Sequence, residues 1–124
     1  MAGKQLTPVF TENFAKNLDT ILDFLGEDGR PAFARLLDHL FADLVPTLCQ
    51  FPQSGRSFFD HPSRSLETRA ARRRLRRLIR LGDDLREFIL NEYLLLYLVR
   101  GNQVIFLSIK HHRQLSFDLH RFWP

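Results

Sequence analysis

Six consecutive apolar side chains, Leu94-Leu95-Leu96-Tyr97-Leu98-Val99, restrict the folds open to this chain more than any other segment. Successive side chains of an extended strand point to opposite faces. A strand that is apolar at every position therefore needs cover on both sides, and belongs in the middle of a sheet. Turn residues bound the run, Asn91-Glu92 before it and Gly101-Asn102 after it. Two further apolar runs flank those turns, Leu85 to Leu90 and Gln103 to Ile109. Glycine followed by asparagine suits a two-residue type II′ hairpin. The last third of the chain therefore reads as a three-stranded antiparallel meander.

The first half has a different period. Residues 5–11 form a short extended piece containing Pro8, which cannot donate a ladder hydrogen bond, so this strand is expected at a sheet edge or end. Thr11 suits the N-cap of a helix over residues 12–25, with Phe14, Leu18, Ile21, Leu22 and Leu25 on one face. Gly26-Glu27-Asp28-Gly29 breaks it, and Pro31 begins a second helix. Phe33, Leu36, Leu37, Leu40, Phe41, Leu44, Val45 and Leu48 give that helix a 3.6-residue period, with a kink or end expected near residue 45 because of Pro46. The short link makes the pair an α-helical hairpin. Residues 51–63 read as a loop and residues 64–80 as an arginine-rich amphipathic helix, with Ala71, Leu75, Leu78 and Ile79 on its apolar side and Gly82 as its stop. The expected fold class is α+β: N-terminal strand, helical hairpin, extra arginine-rich helix, then a small sheet built on the meander.

At 124 residues, 44% of them hydrophobic, the chain reads as one domain spanning residues 1–124. A lone cysteine, Cys49, excludes an internal disulfide and a multi-cysteine zinc site, and its apolar surroundings make it a reduced core residue. No signal peptide and no span of 18 apolar residues is present, so a cytoplasmic protein without membrane contact is expected. Phosphate-binding glycine loops, nucleophile elbows and HExxH are missing too, and no cofactor is expected.

Charge is concentrated. Of the formal net charge of +4, residues 64–80 alone contribute eight arginines against one acid, Glu67. Arg69, Arg72, Arg73, Arg76, Arg77 and Arg80 could neutralise phosphates, cover the sheet with their stems while their heads stay in water, or dock an acidic partner. A second basic cluster, Lys110-His111-His112-Arg113, emerges at the end of the meander. Lysine and arginine there could hold an anion, and histidine could exchange a proton near neutral pH. Solvated residues at a sheet margin, or a partner contact, would explain the same cluster. Adjacent histidines on a strand face opposite ways, so no metal site is expected.

In order and spacing these elements resemble the RelE/ParE toxin superfamily. Phe51-Pro52-Gln53-Ser54-Gly55-Arg56 is similar to the family's Pro-x-x-Gly-Arg turn after the helical hairpin. Leu85-Arg86-Glu87-Phe88 is similar to its strand beginning Leu-Arg. Tyr93 to Val99 is similar to its tyrosine-flanked central strand, and Val104 to Arg113 to its last strand and basic end. The resemblance covers residues 5–59 in outline and 85–119 more closely; the arginine helix has no counterpart.

The resemblance implies the toxin of a type II toxin–antitoxin pair, involved in plasmid stabilization or growth inhibition and neutralised by a cognate antitoxin protein. It leaves open a dimer within the toxin–antitoxin complex. ParE-like members bind DNA gyrase without catalysis; RelE-like members are ribosome-dependent mRNA endoribonucleases. Here Leu94 stands where RelE-like nucleases often carry arginine, Glu87 follows Arg86 in place of a second cation, and Asp118 stands near where a tyrosine is often found. The balance is ParE-like: an inhibitor that binds an essential target such as gyrase. Were the protein a nuclease, His111 or His112 would be its acid or base, with Arg86, Arg113 and Lys110 stabilising phosphate charge. A non-toxic nucleic-acid-binding module built on the arginine helix is the third reading.

Overall fold

The all-apolar run forms strand β4, Tyr93–Arg100, at the centre of a five-stranded sheet. The structure is a computed structural model that describes residues 5–60 and 66–111, the side chains of 66–71 excepted. The other strands are β1 (Thr7–Phe10), β2 (Arg56–Ser57), β3 (Asp84–Leu90) and β5 (Gln103–His111), in spatial order β1-β5-β4-β3-β2. The helices are α1 (Glu12–Leu25), α2 (Arg30–Asp38), α3 (Val45–Gln50) and α4 (Leu66–Leu78).

Strands β3, β4 and β5 are the antiparallel meander that the apolar runs predict. The sheet is larger than that meander, and mixed. β1 adds to β5 in parallel, Val9 opposite Ile105, and β2 adds to β3 at the far edge. Pro8 does lie on an edge strand. β2 has only two residues, too few for alternation to show, and the β1–β5 pairing joins the two ends of the chain with no local turn to announce it.

Both faces of β4 are covered. Leu95 and Tyr97 face a core shared with Phe14, Ile21, Leu40, Leu48 and Cys49 of the helices. Leu96 and Leu98 face a second core with Phe58, Leu75, Leu85, Ile105 and Leu107, against which Leu78 and Ile79 pack. The arginine helix therefore closes the face opposite the helical hairpin. Burial raises the pKa of the Cys49 thiol, which keeps it protonated and inert.

Thr11 caps α1, its Oγ1 accepting from Phe14 N at 3.1 Å. The same hydroxyl and two asparagines tie α1 to β5 where β1 has ended. Asn13 Nδ2 donates to Leu107 O at 2.9 Å, and Asn17 Oδ1 accepts from Ile109 N at 3.1 Å. The first turns of α1 thus satisfy backbone groups that an extra strand would otherwise need to pair. Gly26, at φ +69°, ends α1.

The second helix does not stop at Pro46. After α2 the chain widens into a π-helical stretch, His39–Leu44, and continues as α3 with Pro46 in its first turn. Val45 N–H reaches back five residues to Leu40 O. Proline cannot donate, and its ring crowds the carbonyl four residues earlier. A wider turn before Pro46 relieves that crowding, so the proline reshapes the helix rather than ending it.

Candidate functional site

The residues singled out by sequence fall into three places. The first is the turn after the helical hairpin. Tyr97 lies between the aliphatic residues Leu94–Leu96 and Leu98–Val99 of the central strand and is fully buried, so its hydroxyl needs partners. It donates to Pro52 O at 2.7 Å and accepts from Gly55 N at 2.9 Å. Burial is the main reason its pKa is raised, and the phenol stays protonated as this geometry requires. Arg86, opposite Tyr97 on β3, donates from Nη1 to Gly55 O at 2.7 Å and from Nε to Asp84 Oδ2 at 2.7 Å. Arg56 Nε meets Glu87 Oε1 at 2.6 Å, and that glutamate side chain is 7% exposed. Gly55 has an extended backbone that any residue can adopt (φ −79°, ψ 164°). It is glycine because of crowding: a Cβ there would sit 2.5 Å from Tyr97 Oη and 2.6 Å from Glu87 O. The Pro52–Arg56 turn is therefore a clasp, and Arg86 serves inside it.

The second place is the basic end of β5. A bulge between Leu96 and Tyr97 of the β4–β5 ladder controls which way its side chains point. Arg100 to Tyr97 pair with Gln103 to Phe106 in one register, whereas Leu96 pairs with Ser108 and Tyr93 with His111. Without the extra residue Tyr93 would face Lys110. With it, His111 turns toward the hairpin face and Lys110 toward the arginine face. His111 is nearly buried, its ring 5.7 Å from that of Phe24 and 5.5 Å from that of Tyr93. Its Nε2 lies 3.1 Å from Glu92 Oε2, a hydrogen bond when that nitrogen carries the proton. Glu92 is adjacent to this histidine only through the hairpin, which is why sequence separation hides the pair. His112 and Arg113, with Asp118, lie outside the described residues.

Arg86 and His111 are not brought together. Their partners on β4, Tyr97 and Tyr93, are four residues apart, and β3 and β5 flank β4 on opposite sides. At strand spacings this separates them by about 13 Å along the sheet and about 10 Å across it. Among the described residues no group of three or more His, Cys, Asp or Glu side chains is placed to hold a metal ion.

The third place is α4. Leu75 is 3% exposed and seats the helix on the sheet. Arg72 lies over the Phe58 ring at 5.0 Å and Arg76 over the Phe59 ring at 4.4 Å, so these two arginines help hold the helix by cation–π contact. Arg73, Arg74, Arg77 and Arg80 are exposed. The side chain of Arg69 lies outside the described set. Beyond the helix, Asp83 forms a second anchor. It accepts from Arg100 Nη2 at 2.8 Å and from Arg80 N at 2.9 Å, and its side chain is 2% exposed. The Arg100 hydrogen bond, more than any other contact, holds its carboxyl below the ordinary aspartate range. Sequence reading missed this pair and the Tyr97 clasp. A polar residue inside an apolar strand was the available signal for the clasp.

Comparison with known proteins bears on the whole arrangement. Residues 9–116 match the family described as ParE toxin of type II toxin–antitoxin system, parDE. No individual curated protein matches the chain. Among the described residues no helix is long and apolar enough to cross a membrane. The matched span takes in the second half of the edge strand β1, the helical hairpin, the Pro52–Arg56 clasp, the arginine helix and all three strands of the meander. The chain belongs to the ParE family of toxins of type II toxin–antitoxin systems.

Proposed function

We propose that this toxin arrests growth by binding an essential target, DNA gyrase, and that a cognate antitoxin protein neutralises it in the bacterial cytoplasm. The whole chain, residues 1–124, acts as one toxin domain in this reading. The observation that carries it is how the described nuclease candidates are used. Arg86 is spent on the Gly55 carbonyl and Asp84, and His111 is packed under Phe24 beside Glu92. A ribonuclease needs cations and an acid–base group converging on one phosphate. Two groups about 13 Å apart along a sheet and two strands away from each other do not converge. A binding inhibitor has no such requirement. Its needs are a rigid scaffold and a surface, which the doubly covered sheet supplies.

The test is induction of the toxin in bacteria without antitoxin, followed by plasmid topology and message-end mapping. Growth arrest with relaxed plasmids and intact messages is expected. Codon-linked message cleavage that disappears in His112→Ala, with supercoiling unchanged, would replace this reading by the ribonuclease one.

A further inference from the structure

The arginine helix carries more positive charge than its own packing uses. On α4, Leu75 points to the sheet, and Arg73 and Arg77 are one helical turn apart on the opposite side. Arg80 continues that row just past the helix, with its side chain exposed. Among the described residues no carboxylate is ion-paired with Arg73, Arg74 or Arg77. Cations spaced by four residues repel one another. Arg73 and Arg77 thus carry a standing electrostatic cost that an anionic partner would relieve, whereas Arg80 lies in the attractive field of Asp83.

The chemistry of the face points to the kind of anion. A protein partner would be expected to meet an apolar centre ringed by polar groups. Here the described apolar side chains along α4 and just past it, Leu75, Leu78 and Ile79, pack inward, Leu81 beyond them is exposed, and the outward side of the helix presents arginine. A single nucleic-acid strand would need exposed aromatic rings for its bases to stack on. The neighbouring rings, Phe58 and Phe59, are instead covered by Arg72 and Arg76. What remains suits a phosphate backbone. A helix of 13 residues is about 20 Å long, and the major groove of B-DNA, about 12 Å wide, admits an α-helix. The deep, narrow major groove of duplex RNA does not.

We propose that the outward row of α4, Arg73, Arg77 and Arg80, is a binding site for the phosphate backbone of duplex DNA, with little sequence preference. The site belongs to the toxin chain itself and is independent of the gyrase reading. Three phosphate contacts correspond to a slope of about −2.7 in a plot of log affinity against log salt, or about a 40-fold loss between 50 and 200 mM.

The experiment is fluorescence anisotropy with the full-length chain, made by cell-free synthesis. A mixed-sequence 20-base-pair DNA duplex is the probe; a matching RNA duplex and polyglutamate are the competitors. The wild type should bind the DNA with the slope above. The triple variant R73Q/R77Q/R80Q should lose at least tenfold in affinity at 50 mM salt and most of the slope. Glutamine is nearly as good a helix former as arginine, so the fold should survive, which circular dichroism would check. R73K/R77K/R80K should keep the slope, because counterion release follows charge. An unchanged slope in the glutamine variant would overturn the proposal. So would polyglutamate or duplex RNA competing as well as DNA, the first of which would assign the row to an acidic protein segment. Should the glutamine variant fail to fold, wild-type competition decides alone.

Discussion

The helical hairpin and the arginine helix cover opposite faces of one sheet by different physical means. The hairpin side is a continuous dry core from Phe14 and Ile21 through Leu40 and Leu48 to Leu95, Tyr97 and Phe106. The arginine side has a smaller core around Leu75, Leu96 and Leu98, supplemented by guanidinium groups on Phe58 and Phe59 and by the Asp83–Arg100 pair. The first arrangement concentrates stability in apolar contact. The second supplies enough cover to keep β4 dry and leaves charge facing outward. A sheet whose central strand is apolar on both sides needs both covers, but only one of them has to be a strong one.

Truncation of one leucine on each side is the strongest way to break this comparison. Leu48→Ala removes a fully buried side chain from the hairpin core and should cost about 3 kcal/mol of global stability in urea denaturation. Leu75→Ala should cost about 1 kcal/mol, because α4 can loosen as a unit without unfolding the sheet. Hydrogen exchange should then speed up in α4 while β4 amides keep their protection. Equal global losses from the two variants would show that the faces are held alike.

The clasp sharpens the comparison on the hairpin side, where geometry is fixed as well as dry. Gly55→Ala should cost about 2 kcal/mol, since the new methyl meets the Tyr97 hydroxyl and the Glu87 carbonyl with no room to move. Tyr97→Phe keeps the ring and removes only the hydroxyl. It should cost about 1.5 kcal/mol, because Pro52 O and Gly55 N are left without their partner. Thermal denaturation of the two variants measures both. A glycine variant milder than the tyrosine variant would mean that the turn can move aside.

What could be read in advance was local. The apolar run Leu94–Val99 declares a central strand because its pattern is complete within six residues, and Thr11 and Gly101 mark a helix start and a hairpin within a few positions. The β1–β5 pairing, the two-residue β2 and the Tyr97–Gly55 bond depend on residues far apart in sequence, and no local pattern encodes them. The basic strand end shows the boundary most clearly. Lys110 and His111 are legible as a pair of charge-bearing residues. Which of them faces the hairpin depends on one extra residue in the β5 ladder, and a bulge leaves no mark on hydrophobic periodicity. Strand alternation separates Lys110 from His111, and the shift sets His111 on the hairpin face beside Glu92, so a cluster that reads as one site in sequence divides between two faces.

The smallest effect concerns how the arginine helix is tied down. Asp83 receives Arg80 N and Arg100 Nη2, joining the end of α4 to β4. Because Arg100 holds the folded-state pKa of Asp83 below its unfolded value, this anchor contributes stability above the unfolded value of about 3.9. That contribution fades as pH falls through the lower folded value, when the carboxyl takes up a proton. Asp83→Asn keeps the shape and removes the charge. The difference in stability between wild type and variant should therefore be constant from neutral pH down to about 4 and shrink below it. Other carboxylates titrate in the same window, and taking the difference cancels them. Amide exchange in α4 should rise in the variant at pH 7 while β4 and α1 are unaffected. A difference curve that stays flat through the acid limb would remove Asp83 as the anchor and leave Leu75 and the two arginine–phenylalanine stacks to hold the helix alone.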